Sequence, residues 1–598
     1  MNPITWFGPW GLVPLAFVAS TYAATSVGCA AFKALPVHHR LAGGLVLVLA
    51  GFTAGMQMLS YLGWVRPSII GVCVCGTLVG AVALARRFGT LGTWSPRAVA
   101  LGLEYSTLPT LLVGSVGVLL AAVSAYWLPV WQWDALGYHL PFVNFVLQSG
   151  GLDGLPKDVP YLSTYPRNVE LLFTAFRALL PDDRLIDLAQ IPFGLVGTIA
   201  IASIALELGA ERTHALIAGT LWLLVPAVFL QLPTNYIDIA TAAYFLLAVF
   251  FLLTHPTKRT LLCAGLAIGL FLGSKPSTPP AALLLATVLV VRGFRAELGR
   301  YAALSVLLAG ALGLEAYVGC LVRYGNPIWP TIVDIGPLHL PGTVSMQTLL
   351  SSGVGTERLS GSLASRIVRS WSTLDSRPVF DMRVGGMGLA FWLMLPPATY
   401  LAIRRKLVLV SVLIVIAGIT PDPAVVRYVL AIPGLIFAAA AVALKELASP
   451  LRFGAHGVIA LTGAAQLFYA APGLTGEGPA LWSYRDMSWA ERERAVGANG
   501  SPATVIDARN RLAPGEVAVY DQSLWLPYTV WRNDLANRVL RVHDNASVEE
   551  AVRVLMDQKV RLIAAGQGSV LAAAIAREPH RFETLFQCKE PCVFYWQR

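Results

Sequence analysis

The chain has 598 residues, of which 56% are hydrophobic and 13% charged, with a formal charge of +10. Water-soluble chains carry roughly 25% charged residues, and a soluble fold could not hide so many uncharged stretches. The positive balance, which in a soluble chain would suggest nucleic acid, is explained by the basic loops of a membrane protein.

A hydrocarbon core about 30 Å thick takes roughly 20 apolar residues per helix, and the segments 41–62, 108–128 and 216–232 meet that requirement. Helices are expected, because a helix satisfies its backbone polar groups internally. About fourteen spans are read, near 11–32, 41–63, 67–85, 108–128, 187–208, 213–232, 236–254, 260–274, 278–292, 301–322, 386–403, 407–420, 426–444 and 454–472. The first ten residues lack the basic stretch of a secretory signal, so the first span is expected to be retained. Three spans within 1–104 precede a transmembrane module over 105–472, and a domain over 473–598 follows.

Charge gives an orientation. With the loop after Trp133 placed outside, the loops that alternate to the inside carry Lys33, Arg40, Arg86, Arg87, Arg97, Arg212, Lys258, Arg259, Arg292, Arg295, Arg300, Arg404, Arg405, Lys406, Lys445 and Arg452. Short outside loops carry mainly Arg66, Lys275 and Arg427. This is the positive-inside pattern, and it puts the N-terminus and the C-terminal domain outside, as in a bacterial inner or plasma membrane protein. Two long outer loops are expected, over 129–186 and 323–385. The first holds amphipathic stretches at 138–147 and 169–180. The second holds Arg358, Arg366, Arg369 and Arg377. In the C-terminal region, 517–520, 561–564, 582–586 and 593–596 read as strands, and 547–558 as a helix with Ser547 as N-cap and Glu550 completing a capping box. The fold class is mainly α: a polytopic helical bundle with a small C-terminal α/β domain.

Seven cysteines are present. Cys29, Cys73, Cys75, Cys263 and Cys320 lie in apolar stretches, where Cys acts as a small hydrophobe. Cys588 and Cys592 either form a disulfide, if that end faces an oxidising compartment, or remain thiols.

A carboxylate in or beside a membrane is costly and marks a functional site by default. Asp134 and Asp238 stand out; the bland alternative for each is a helix cap. Around Asp134 runs Trp131-Gln-Trp-Asp-Ala-Leu-Gly-Tyr-His-Leu-Pro141, and Asp238 ends Pro233-Thr-Asn-Tyr-Ile-Asp238. The first of these resembles the first outer loop of the GT-C superfamily, polytopic glycosyltransferases that use polyprenyl-phosphate sugars, such as protein O-mannosyltransferases and lipid A aminoarabinose transferases. Further stretches resemble that family in order: Tyr165-Pro-Arg-Asn-Val-Glu-Leu171, Gly265-Leu-Ala-Ile-Gly-Leu-Phe-Leu-Gly-Ser-Lys275, Tyr324-Gly-Asn-Pro-Ile-Trp-Pro330 and Arg427-Tyr-Val-Leu-Ala-Ile-Pro433. The resemblance covers roughly 105–598. Ala135 stands where many members carry Glu, and a metal site built on that Glu lacks it here.

The resemblance implies an inverting transfer from a polyprenyl-phosphate sugar to a glycan, lipid or protein acceptor at the outer face. In that scheme Asp134 is the general base, and Asp238 is a helper or, with Asp134, a ligand of a divalent metal. The lipid phosphate calls for cations, and Lys275 and Arg427 lie on the same expected side; either could instead be an interfacial anchor. Arg167 and Arg323 are further candidates. Tyr138, with Trp131 and Trp133, could stack on sugar or form an aromatic belt; His139 could bind a hydroxyl or a metal, or simply pack. Glu315 faces a polar cavity or pairs with a neighbour. Three other readings remain: a transporter or flippase for lipid-linked glycans, a glycan polymerase or ligase, and a scaffold. Absent internal repeats weigh against a transporter.

Overall fold

The computed structural model describes residues 26–28, 36–87, 105–345, 348, 359–374, 378–381, 383–496, 503–543, 545–587 and 592–597. Most of the expected first span, together with Cys29, Arg97, Arg358, Arg377 and Cys588, lies outside the described residues.

The bundle opens with α1 (Val37–Tyr61) and α2 (Pro67–Arg87), then α3 (Leu108–Trp127). The first outer loop supplies α4 (Leu140–Ser149) and α5 (Asn168–Ala178), close to the two amphipathic stretches of the sequence. The chain returns through α6 (Ile191–Glu207), α7 (Arg212–Leu223), α8 (Asp238–Leu253), α9 (Lys258–Leu272), α10 (Pro279–Arg295), α11 (Gly299–Gly313) and α12 (Glu315–Tyr324). After the second loop come α13 (Leu363–Ser372), α14 (Gly388–Arg404), α15 (Val408–Ala417), α16 (Ala431–Lys445) and α17 (Ser449–Ala470).

Two of the expected spans are broken. Pro226 opens a separate short helix after α7, since its ring cannot continue the ladder of the preceding turn. The chain bends by 66° between α11 and α12. Among the described residues, four helices are long and apolar enough to cross a membrane by length and composition, or five if the bent pair counts as one span. This count leaves out most of the expected first span, which lies outside the described residues, and many of the described bundle helices are short. The 16 residues of α8, for example, extend only about 24 Å at 1.5 Å per residue.

Small residues set the spacing around α9. A Cβ on Gly265 would lie 2.3 Å from the Ser305 carbonyl oxygen, and one on Gly269 would lie 2.8 Å from that of Ala309. Helices α9 and α11 therefore touch backbone to backbone, and this fixes where the end of α9 delivers Lys275.

The second outer loop carries a three-stranded sheet of β1 (Thr331–Ile335), β2 (Leu338–Leu340) and β3 (Val344–Ser345), with β1 central. The C-terminal region forms a mixed sheet of β4 (Val517–Tyr520), β5 (Arg538–Arg541), β6 (Val560–Gly566), β7 (Phe582–Gln587) and β8 (Cys592–Gln597), in the order β5-β4-β6-β8-β7. β4 pairs in parallel with β5 and β6, and the β6–β8 and β7–β8 pairs are antiparallel. Ser547 Oγ accepts the Glu550 N–H at 3.1 Å and starts the helix Val548–Asp557.

This domain packs on the first outer loop. The β5 edge is closed by Gln148, whose amide takes both the N–H of Val539 (2.9 Å) and its carbonyl (3.0 Å). An exposed strand edge would otherwise invite foreign pairing. Arg541 pairs with Asp158 at 2.7 Å, and the rings of Phe145 and Trp531 meet edge to face at 4.8 Å.

Candidate functional site

Residues from four separate segments of the chain converge on one cluster. Asp134 follows α3 and immediately precedes a π-type turn, Ala135–His139; it makes no capping hydrogen bond there. Turns of this kind are frequent at functional sites. Asp238 is the first residue of α8, Lys275 follows α9, and Arg427 sits on the 3-10 turn Val426–Tyr428 ahead of α16.

Arg427 is the hub. Its Nη1 donates to Asp134 Oδ2 at 2.9 Å, lies 3.1 Å from Asp381 Oδ1 and 4.0 Å from Asp238 Oδ2. Lys275 Nζ contacts Asp238 Oδ1 directly, and Gln231 Nε2 donates to the other oxygen of Asp238 at 3.3 Å. Arg383 braces Asp381 at 3.0 Å. The rings of Tyr236 and Tyr428 each lie 5.2 Å from the Arg427 guanidinium, and Lys275 Nζ is 4.3 Å from the Tyr428 ring. Cations at these distances from an aromatic face are attracted to it.

The cluster is buried but not sealed. Arg427 keeps 7% of its side-chain surface and Asp238 5%, whereas Asp134 keeps 25%. Burial pushes the Asp134 carboxyl upward, but the Arg427 guanidinium, with help from His139 and Lys275, outweighs it and holds the group below its ordinary value. Arg427 Nε is buried and has no hydrogen-bond partner among the described residues. A charged donor left unsatisfied in that way is costly.

His139 and Tyr138 line the neighbouring wall. His139 is buried, and its Nδ1 lies 2.8 Å from Glu170 Oε1. Tyr138 stacks on Tyr161 at 5.5 Å, with Tyr165 edge-on at 6.3 Å. Arg167 is placed elsewhere. It pairs with Glu315 through Nε (3.1 Å) and Nη2 (3.2 Å), so Glu315 takes the paired arrangement. Arg323 lies exposed on the last turn of α12. Trp133 is exposed, and Trp131 packs edge-on against Phe380 at 4.7 Å.

Asp381, Glu170 and Gln231 were not singled out in the sequence. Glu170 lies inside the Tyr165–Leu171 motif, and Asp381 sits in a loop where the arginines draw attention first. Its one local signal is the nearby Arg383.

A cavity of about 50 Å³ opens beside the cluster, with Asp238, Lys275, Ser277, Thr278, Arg427 and Tyr428 on its polar side and Phe245, Phe271, Ile416 and Ile419 on its apolar side. Ile416 and Ile419 also line a wider groove of about 660 Å³ between α10, α14 and α15. That groove is walled mainly by Leu284, Val288, Ile403, Val408, Val412 and Val415.

This architecture superimposes on a solved structure, ArnT from Cupriavidus metallidurans in the apo state, with a TM-score of 0.52, 13% identity, and coverage of 81% of this chain and 97% of that one. The chain has the fold of ArnT. ArnT from the same organism bound to undecaprenyl phosphate gives a TM-score of 0.49 at 14% identity, covering 81% of this chain and 97% of that one. The apo oligosaccharyltransferase of Archaeoglobus fulgidus gives 0.38 at 12% identity, covering 81% and 75%. No known family model matches the sequence, and no curated protein matches it significantly.

Proposed function

We propose that this protein is a membrane glycosyltransferase with the ArnT-like fold, moving a sugar from a polyprenyl phosphate to an acceptor hydroxyl with inversion at the anomeric carbon. The observation that carries the reading is Arg427. This cation is held among Asp134, Asp238 and Asp381, and it lines a cavity that Lys275 also lines. The arrangement suits a phosphate oxygen. The apolar groove sharing Ile416 and Ile419 with that cavity suits the attached isoprenoid chain.

In the proposed step the acceptor oxygen attacks the anomeric carbon and gives its proton to Asp134. The bond from that carbon to the phosphate oxygen breaks, and the lipid phosphate leaves against Arg427 and Lys275. The transition state is of the oxocarbenium type. Asp134 begins as a weak base because Arg427 holds it down. A phosphate drawing on that guanidinium frees the carboxylate and raises its basicity, which couples base strength to donor binding. The step as proposed draws its positive charge from this chain's own residues: an Arg427 nitrogen lies 2.9 Å from Asp134 and 4.0 Å from Asp238, and Lys275 contacts the other oxygen of Asp238.

The test is the purified protein in liposomes with radiolabelled polyprenyl-phosphate sugars and a panel of lipid and glycan acceptors. Transfer of label to an acceptor supports the reading. Movement of the labelled lipid across the bilayer without transfer overturns it in favour of a flippase.

A further inference from the structure

A second group of chemistry-bearing side chains lies at the other end of the bundle. His38 and His39 stand on the first turn of α1, and Glu207 is the last residue of α6. Phe250 of α8 packs edge-on against both imidazoles, at 6.1 Å and 5.1 Å. Twelve residues along α8 separate Phe250 from Asp238, about 18 Å at the helical rise.

We propose that His38, His39 and Glu207 form a zinc site that fastens α1 to α6. The Nε2 atoms of both histidines aim at one oxygen, Glu207 Oε2, at 3.8 Å from His38 and 3.0 Å from His39. All three atoms lie within 4.8 Å of one another. Ligand atoms about 2.0–2.2 Å from a tetrahedral zinc stand roughly 3.3–3.5 Å apart, and the two observed distances bracket that spacing.

A plain ion pair explains only half of the arrangement. His39 alone satisfies Glu207 Oε2 by a hydrogen bond. His38 Nε2, at 3.8 Å, is too far for one and has no hydrogen-bond partner among the described residues. A cation among the three atoms satisfies both nitrogens and the oxygen together. Arg292 also faces Glu207, but its guanidinium is engaged with the Thr254 carbonyl at 2.8 Å. Two imidazoles and one carboxylate select a zinc-like ion over magnesium or calcium, which prefer all-oxygen shells. Three protein ligands leave the fourth position to water.

The experiment uses the full-length protein purified with a histidine-free tag. Elemental analysis of the wild type is expected to give about one zinc per chain. After chelation, cobalt is expected to restore a visible ligand-field band of four-coordinate type that zinc abolishes. In His39→Ala and Glu207→Gln, metal affinity is expected to fall by at least roughly 10-fold, the loss typical of removing a mere supporting partner. Zinc is expected to raise the melting temperature of the wild type and not of the variants. The cobalt titration needs only the wild type, so misfolded variants do not spoil it. Background zinc in the wild type with no four-coordinate cobalt band overturns the proposal, as does undiminished binding in well-folded variants.

Discussion

Two buried arginines in this bundle are used in opposite ways. Arg167 meets one carboxylate, that of Glu315, through two nitrogens at 3.1 and 3.2 Å, and the Tyr61 hydroxyl donates to the same carboxylate. Gln57 and Asn168 complete the patch with bonds to each other and to the Leu312 carbonyl, next to the bend between α11 and α12. This is a fastener, fork matched to carboxylate. Arg427 instead spreads one nitrogen over three carboxylates, those of Asp134, Asp381 and Asp238. A guanidinium matched to a single carboxylate has no place for a substrate. One nitrogen shared among three carboxylates can exchange partners when an anion arrives.

The largest expected effect comes from the acid at the accessible edge of the Arg427 cluster. Asp134→Asn should lower transfer by about 10²–10⁴-fold, the usual contribution of a positioned general base, with the melting temperature little changed. Retention of wild-type turnover in the liposome assay would remove Asp134 from the chemistry. Next comes Arg427→Lys, which keeps the charge and loses the fork. Hydrogen bonds to charged groups contribute about 1.5–3 kcal/mol, so the KM for the lipid donor should rise roughly 10–150-fold. An unchanged KM would mean that the phosphate docks elsewhere.

The sequence makes part of this legible for definite reasons. Apolar runs locate the helices well: the stretch 108–128 is α3, Leu108–Trp127, and 67–85 is α2, Pro67–Arg87. They locate spans poorly, because an apolar run does not report the break at Pro226 or the 66° bend before Glu315. In the C-terminal sheet, 517–520 and 561–564 read as strands because they are largely apolar, whereas Arg538–Arg541 does not, its first and last residues being arginines at a sheet edge. At the site, Asp134, Asp238, Lys275 and Arg427 stand out as charges beside apolar runs, and the structure joins them. Asp381 gives no comparable signal, since it reaches Arg427 only through the path of a long loop. Arg167 looks like a phosphate ligand in its motif; only the partner 148 residues away, Glu315, tells otherwise.

That partner yields the third prediction. Arg167→Ala leaves Glu315 buried without its cation, and breaking such a pair costs about 3–5 kcal/mol. The melting temperature should fall clearly, while turnover per folded molecule stays within about twofold, because the residue does not touch the Arg427 cluster. A variant of wild-type stability that had lost transfer would reverse the assignments of the two arginines.

The smallest effect tests the electrostatics from the opposite side. Asp134 is held low by its guanidinium, but at Asp183 burial outweighs the nearby cations. Its Oδ2 accepts the Tyr528 hydroxyl at 2.7 Å, where the first outer loop meets the C-terminal domain. Burial pushes its carboxyl up to about 6, against the partial relief given by Arg177 and Tyr528. The unfolded chain titrates the same group near 3.9. The folded state therefore binds this proton more tightly, so the stabilisation is complete below about pH 4 and is lost as pH rises through about 6. A gap of that size is on the order of 3 kcal/mol. Between about pH 5 and pH 7.5 the wild type should lose a few degrees of melting temperature relative to Asp183→Asn, whose amide oxygen still accepts from Tyr528 and does not titrate. If both proteins respond to pH alike, the docking of the C-terminal domain does not depend on the Asp183 proton, and burial at that interface is weaker than the packing implies.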